Sequence, residues 1–243
     1  MVRYVVVDTS AWLTGRKVLI SPFSIGDWDP RNRVFPVSIS REQIKNSPSI
    51  DADKPVSRQH EIRYLGYYGY PYYWGGSGLW GEDAYPGAAL TGSAYRGSDA
   101  EYQRAEASVA RIAAEAEEQR RLDDDPCLRS CNAVKQYHVH ATDGDIGHVD
   151  GFLVDEQSWA IRYFIVNTSN WWMGHQVLVA PDWIGEVSWA HSKVTVSLDR
   201  QAIRDAPAFD PALRLEREEE VDIYSHYGHR GYWQEEQQHG VSP

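Results

Sequence analysis

The stretch RYVVVDTSAWLTGRKVLISPFSIGDW, beginning at Arg3, returns as RYFIVNTSNWWMGHQVLVAPDWIGEV, beginning at Arg162. Tyr4 falls on Tyr163, an offset of 159 that then holds without a gap. It sets Trp12 on Trp171, Gly15 on Gly174, Pro22 on Pro181, Arg41 on Arg200, Pro48 on Pro207, Asp51 on Asp210 and Trp74 on Trp233. About a third of some seventy paired positions are identical, a self-similarity that marks a duplicated structural unit. The chain is therefore expected to build two equivalent modules.

The second copy has more in front of it. Its IRYFIVN follows QYHVHATDGDIGHVDGFLVDEQSWA, two strand-like runs joined by TDGDIG, where Asp143-Gly144 supplies a residue tolerant of positive φ for a tight hairpin. Strands are expected near 136–141, 147–154, 160–167 and 176–180, then a hairpin in EVSWAHSKVTVSL and a short helix opening at Asp199. In KVTVSL the apolar Val194, Val196 and Leu198 alternate with Thr195 and Ser197, the period of a strand with one face buried. Five or six short antiparallel strands in about 75 residues suit a small closed barrel, because closure removes free edges. Met1 aligns with Ala160, an interior position, so a matching leading hairpin is expected to be encoded upstream. Without one, the strand at 4–7 offers an unpaired edge to strand donation or swapping.

Between the copies, LGYYGYPYYWGGSGLWGEDAYPGAALTGSAYRGS is rich in Gly, Tyr and Trp and poor in aliphatics, so it reads as a coreless linker. A solvated helix is expected from 99 to 122, with a thin apolar stripe through Val109, Ile112 and Ala116. The resulting division is 1–63 for the first repeat, 64–98 for the aromatic linker, 99–134 for the helical linker, 135–215 for the second repeat and 216–243 for an acidic, aromatic tail.

Charge narrows the partners. A formal net charge of −11 opposes a phosphate backbone, whose affinity rests on Lys and Arg, so nucleic acid is an unlikely partner. No window approaches the roughly 18 apolar residues of a membrane span, and the expected location is the cytoplasm. Cys127 and Cys131, four apart, read as reduced structural thiols.

The segments ATDGDIGHVDGFLVDEQSWAIRYFIVNTSNWWMGHQVLVAP and RYVVVDTSAWLTGRKVLISP resemble the PRC-barrel family, shared by the cytoplasmic part of the photosynthetic reaction centre H subunit and a ribosome-maturation factor. The whole chain is similar to bacterial tandem PRC-barrel proteins. The resemblance implies a mainly β fold: two small antiparallel PRC-type barrels, the first lacking its leading hairpin, joined by a Gly/Tyr-rich linker and one helix. It also implies a non-catalytic scaffold that docks a protein partner or itself, with no cofactor. The membrane helix of the H subunit and the RNA-associated domain of the maturation factor have no counterpart in these 243 residues, so neither role is carried over.

The candidate chemistry is sparse. His138 and His140 lie on one strand face, and the hairpin brings His148 or Asp150 alongside, a donor set for a zinc-like ion and the basis of an alternative reading as a metal- or small-ligand sensor. The competing reading is plain strand and turn chemistry, with Asp143 and Asp145 serving the bend. GGSG at 75–78 has no strand before it and makes no nucleophile elbow, and the acid run at 216–222 reads as a solvated face, so no catalytic residue is assigned. The aromatics are the better interaction candidates. Trp12, Trp171, Trp172, Trp183 and Trp189 either cover short barrels or offer amphipathic anchors to a partner.

Overall fold

A computed structural model describes residues 1–11, 16–48, 56, 58–74, 78–81, 83–91, 128–168 and 175–234. The chain divides into two compact units, Met1–Ser130 with Asp155–Ala160, and Cys131–Val154 with Ile161–Pro243. The helix expected at 99–122 and Cys127 lie outside the described residues. Among the described residues no helix is long and apolar enough to cross a membrane.

Unit 1 pairs β1 (Val5–Asp8) antiparallel with β2 (Lys17–Ile20), Val5 facing Ile20 and Asp8 facing Lys17. A 3-10 turn at Pro22–Ser24 follows, then α1 (Arg41–Asn46), α2 (Arg58–Tyr68) and α3 (Pro86–Thr91). Ser40 starts α1 through a reciprocal capping box, its hydroxyl accepting from Gln43 N–H while Gln43 Oε1 accepts from Ser40 N–H. Strand β2 is buried on both faces: Leu19 packs with Phe23, Val56, Tyr64, Leu65, Tyr73 and Trp80, while Val18 and Ile20 pack with Ile44. Within this unit the Trp80 indole donates to the Ser158 carbonyl (2.9 Å), and Val2 N–H to the Trp159 carbonyl (2.9 Å).

Unit 2 opens with α4 (Cys131–Val134) and builds a six-stranded sheet from β3 (His138–Ala141), β4 (Gly144–Val154), β5 (Ile161–Asn167), β6 (Gln176–Val179), β7 (Ile184–Ser188) and β8 (Lys193–Val196). The spatial order is β6-β5-β4-β3-β8-β7. The expected strands are all present. The hairpin loop proves to be Thr142-Asp143, with Gly144 opening β4 at φ 137°. One expectation fails: β3 and β8 run parallel, because the Pro181–Trp183 turn carries the chain from β6 into β7 without reversing it. Next come α5 (Arg200–Arg204), capped by Asp199 accepting from Ala202 N–H (2.7 Å), and α6 (Arg217–His226).

The repeat survives as geometry. Val5↔Ile20 through Asp8↔Lys17 in unit 1 become Phe164↔Val179 through Asn167↔Gln176 in unit 2, at the sequence offset. The helices follow suit. Both α2 and α6 end on a glycine at φ 70°, Gly69 and Gly228, and the next N–H reaches back to Leu65 O (2.9 Å) and Tyr224 O (3.0 Å) respectively, a shared Schellman-type stop.

Two segmental readings need correction. The 64–98 stretch does not lack a core: α2 crosses the expected boundary at 63, and Tyr64, Leu65, Tyr73 and Trp80 are buried. Aromatic rings with polar edges supply the apolar area that composition sought in aliphatics, with Tyr64 donating its hydroxyl to Leu19 O (2.6 Å). Nor is the segment from 216 simply a tail: Arg217–His226 form α6, which leaves Glu216, Glu218, Glu219 and Asp222 exposed, the solvated face expected of the acid run, and buries Glu220, Ile223 and Tyr224 against the unit 2 core.

Candidate functional site

The histidine hairpin forms as expected but disperses its ligands. Cross-strand pairing sets His138 opposite His148, while His140 meets Asp145 (Nδ1 to Oδ1 2.7 Å), which holds the Asp145 carboxyl below the usual range. Asp150 instead accepts from the Gln176 amide. Asp143 accepts from the Arg200 backbone N–H (2.8 Å) and Nε (3.2 Å), fastening the bend to the start of α5. Among the described residues no three His, Cys, Asp or Glu side chains group as metal ligands.

The tryptophans separate. Trp12, Trp171 and Trp172 lie outside the described residues. Trp183 is buried, its ring against Tyr224 (5.0 Å), Tyr227 (4.7 Å) and His229 (5.0 Å), so it belongs to the core and not to an interaction surface. Trp189 is exposed, 6.3 Å from the Tyr137 ring. Exposed too, and not anticipated, are Trp28 and Phe35 of unit 1, with ring centroids 4.9 Å apart.

The densest cluster of ionisable groups went unread in the sequence, and it occurs twice. In unit 1, α2 turns Glu61 inward, fully buried. Its Oε1 accepts from the Tyr73 hydroxyl and from the Tyr4 hydroxyl (3.3 Å), and its Oε2 pairs with Arg58 Nη1 (3.1 Å). Arg58 also donates to Tyr73 Oη (3.0 Å) and stacks over Trp74 (4.1 Å), while Arg3 covers the Tyr73 ring (3.7 Å). In unit 2, α6 presents Glu220. Its Oε1 accepts from Tyr163 (2.8 Å) and Tyr232 (3.0 Å), and its Oε2 pairs with Arg217 (2.7 Å). Arg217 donates to Tyr232 (3.3 Å) and stacks over Trp233 (4.4 Å), and Arg162 covers Tyr232 (4.0 Å). Each residue of one set lies 159 positions from its counterpart.

Physically, each network fastens a helix to the leading end of a strand. Burial pushes the Tyr4, Tyr73 and Tyr163 hydroxyls well above their ordinary range, reinforced by the adjacent glutamate, so all three stay donors. Burial also lifts the Glu61 carboxyl, against the opposing pull of Tyr73, Arg58, Tyr4 and Arg3. Glu61 has no exposed surface, its Oε1 accepts from two phenols and its Oε2 lies at ion-pair distance from Arg58, so the group ties α2 to the start of β1. The signal was present: the offset runs unbroken through Arg58, Glu61, Tyr73 and Trp74, but a module boundary at 63 cut through the motif.

No protein-family model matches the chain, and no curated protein does.

Proposed function

We propose that the chain is a non-catalytic assembly protein of the cytoplasm, in which two PRC-type barrels in tandem dock a protein partner. The observation that carries this reading is the duplication itself. One module is built twice in the same register, and the glutamate common to both copies, Glu61 and Glu220, is buried as a helix fastener beneath a partly exposed arginine. The barrel form is supported by the connectivity of unit 2, where the two ends of the sheet order, β6 and β7, are consecutive in the chain and joined through the short Pro181–Trp183 turn. Docking is supported by exposed aromatic rings in each unit, Trp28 with Phe35 in the first and Trp189 in the second, the residue types that anchor protein interfaces.

Crosslinking the full chain in a lysate of its native cell is expected to give one discrete adduct, with a partner or with a second copy. Trp28→Ser or Trp189→Ser should weaken that adduct at least several-fold without moving the unfolding midpoint, since each ring is exposed. Recovery of the uncrosslinked single chain alone would remove the reading. A melting temperature that falls on adding chelator would favour the histidine hairpin and a metal instead.

A further inference from the structure

The fastening helices of the two units are matched on the inside and opposed on the outside. Helix α2 buries Glu61, Tyr64 and Leu65, and α6 buries Glu220, Ile223 and Tyr224 at the same positions of the repeat. Their flanks match as well. Tyr67 donates its hydroxyl to Gln43 O (2.9 Å), and its counterpart His226 donates from Nε2 to the O of Ala202 (2.7 Å), the counterpart of Gln43. The outer strip changes sign. Exposed His60 and Arg63 of α2 correspond to exposed Glu219 and Asp222 of α6, beside which Glu218 adds a third acid. Among these charges both strips keep a β-branched apolar residue at one position, Ile62 half-buried and Val221 43% exposed.

A hollow deepens the α6 side. A cavity of about 250 Å³ has Phe209, Leu215 and the buried Ile223 in its wall and the exposed carboxylates of Asp210, Glu219 and Asp222 around them. Arg214 also lines it, its guanidinium drawn toward Glu216 (3.7 Å). An apolar wall with an acidic mouth suits an arginine side chain, whose stem packs on hydrocarbon while its guanidinium donates to carboxylates in a planar fork.

We propose that α2 of one chain pairs with α6 of a second copy, Arg63 entering this cavity and Ile62 meeting Val221. Every chain carries one face of each sign, so any two copies are complementary. The signs choose the pairing. Two α2 faces would set base against base and two α6 faces acid against acid, so the unlike faces alone attract. The contact goes beyond the docking reading, which rests on Trp28, Phe35 and Trp189. Exposed charges carry it, and it weakens as salt rises.

Sedimentation of the purified full chain in dilute salt is expected to give a mass above the 27.7 kDa of one chain, falling toward it as salt is raised. Arg63→Glu, and separately Glu218→Lys with Asp222→Lys, should each weaken association by about tenfold or more without moving the unfolding midpoint, since these side chains are exposed. Glu219 is kept, because its carboxylate accepts from Glu216 N–H (2.9 Å) and caps α6. Mixing the two variants is the decisive arm. One retains the native α6 and the other the native α2, so the mixture should associate where neither does alone. A single-chain mass at every salt concentration would overturn the proposal, as would variants that associate like the native chain or a mixture that stays dissociated. Association lost in Trp28→Ser or Trp189→Ser but kept in the charge variants would overturn this contact and leave docking by the exposed rings standing. Association restored in the mixture without any lysate adduct would uphold the contact and sink the broader reading.

Discussion

Replacing Arg58 by methionine is expected to destabilise unit 1 by about 3–5 kcal/mol at neutral pH, the cost of leaving a buried carboxylate without its countercharge. Glu61 has no exposed side-chain surface and cannot turn to water, while Arg58 is 22% exposed. The asymmetry means that removing the base is worse than neutralising the acid, and Glu61→Gln should cost less than Arg58→Met. The pH dependence distinguishes this from lost packing. Burial already raises the Glu61 carboxyl in the folded state, and loss of Arg58 raises it further. Such a group stabilises the fold when protonated, and that contribution is lost as pH rises from the unfolded value, near about 4.3, through the raised folded value. The deficit of Arg58→Met should therefore be smallest in acid and grow toward neutrality. Urea titrations at a series of pH values measure it, and a deficit that does not change with pH would assign the loss to methylene packing alone. In unit 2, Arg217 is 50% exposed, and Arg217→Met should destabilise the fold at neutral pH by less than Arg58→Met does.

Gly147→Ala is expected to cost about 3 kcal/mol or more and to melt the central sheet of unit 2. A methyl group there would lie 2.0 Å from Asn167 O and 2.9 Å from Asn167 C, atoms of the neighbouring strand's backbone that cannot rotate aside. The strand that must move is β4, which pairs β5 on one side and β3 on the other, so both ladders are strained at once. Gly185→Ala is the control. Its Cβ would find nothing nearer than Thr195 O at 3.8 Å, and the change should stay within about 0.5 kcal/mol. Equal effects of the two substitutions in chemical denaturation would show that the close approach at Gly147 carries no weight.

What the sequence made legible was whatever is written locally or repeated. The strands of unit 2 follow from apolar alternation, the helix at Asp199 from its cap, and the register from the fixed offset. The carboxylate network was not read, because its members lie at residues 3, 4, 58, 61, 73 and 74 and meet only when the helix folds onto the strand. Seen one at a time, an acid run and a tyrosine-rich stretch look solvated. Seen at matched positions in two copies, Glu61 with Glu220 and Tyr73 with Tyr232 are the residues that did not drift. Trp183 shows the converse limit. A tryptophan counts equally toward core and surface in composition, and only the rings of Tyr224 and Tyr227 around it decide for the core. Phe35 is 43% exposed and Val194, its counterpart at the offset, is buried, a difference that no local pattern encodes.

If one ancestral module is present twice, each helix held to its strand by the same buried acid, then the two fasteners must be energetically alike in kind. Double-mutant cycles on the full chain, pairing Arg58→Met with Glu61→Gln and Arg217→Met with Glu220→Gln, measure this. The expected result is a favourable coupling of about 1–3 kcal/mol in both units, the larger in unit 1 where the pair is more deeply buried. Coupling in one unit and none in the other would mean that the matched geometry is not a shared structural device, and the equivalence of the two modules would fail with it.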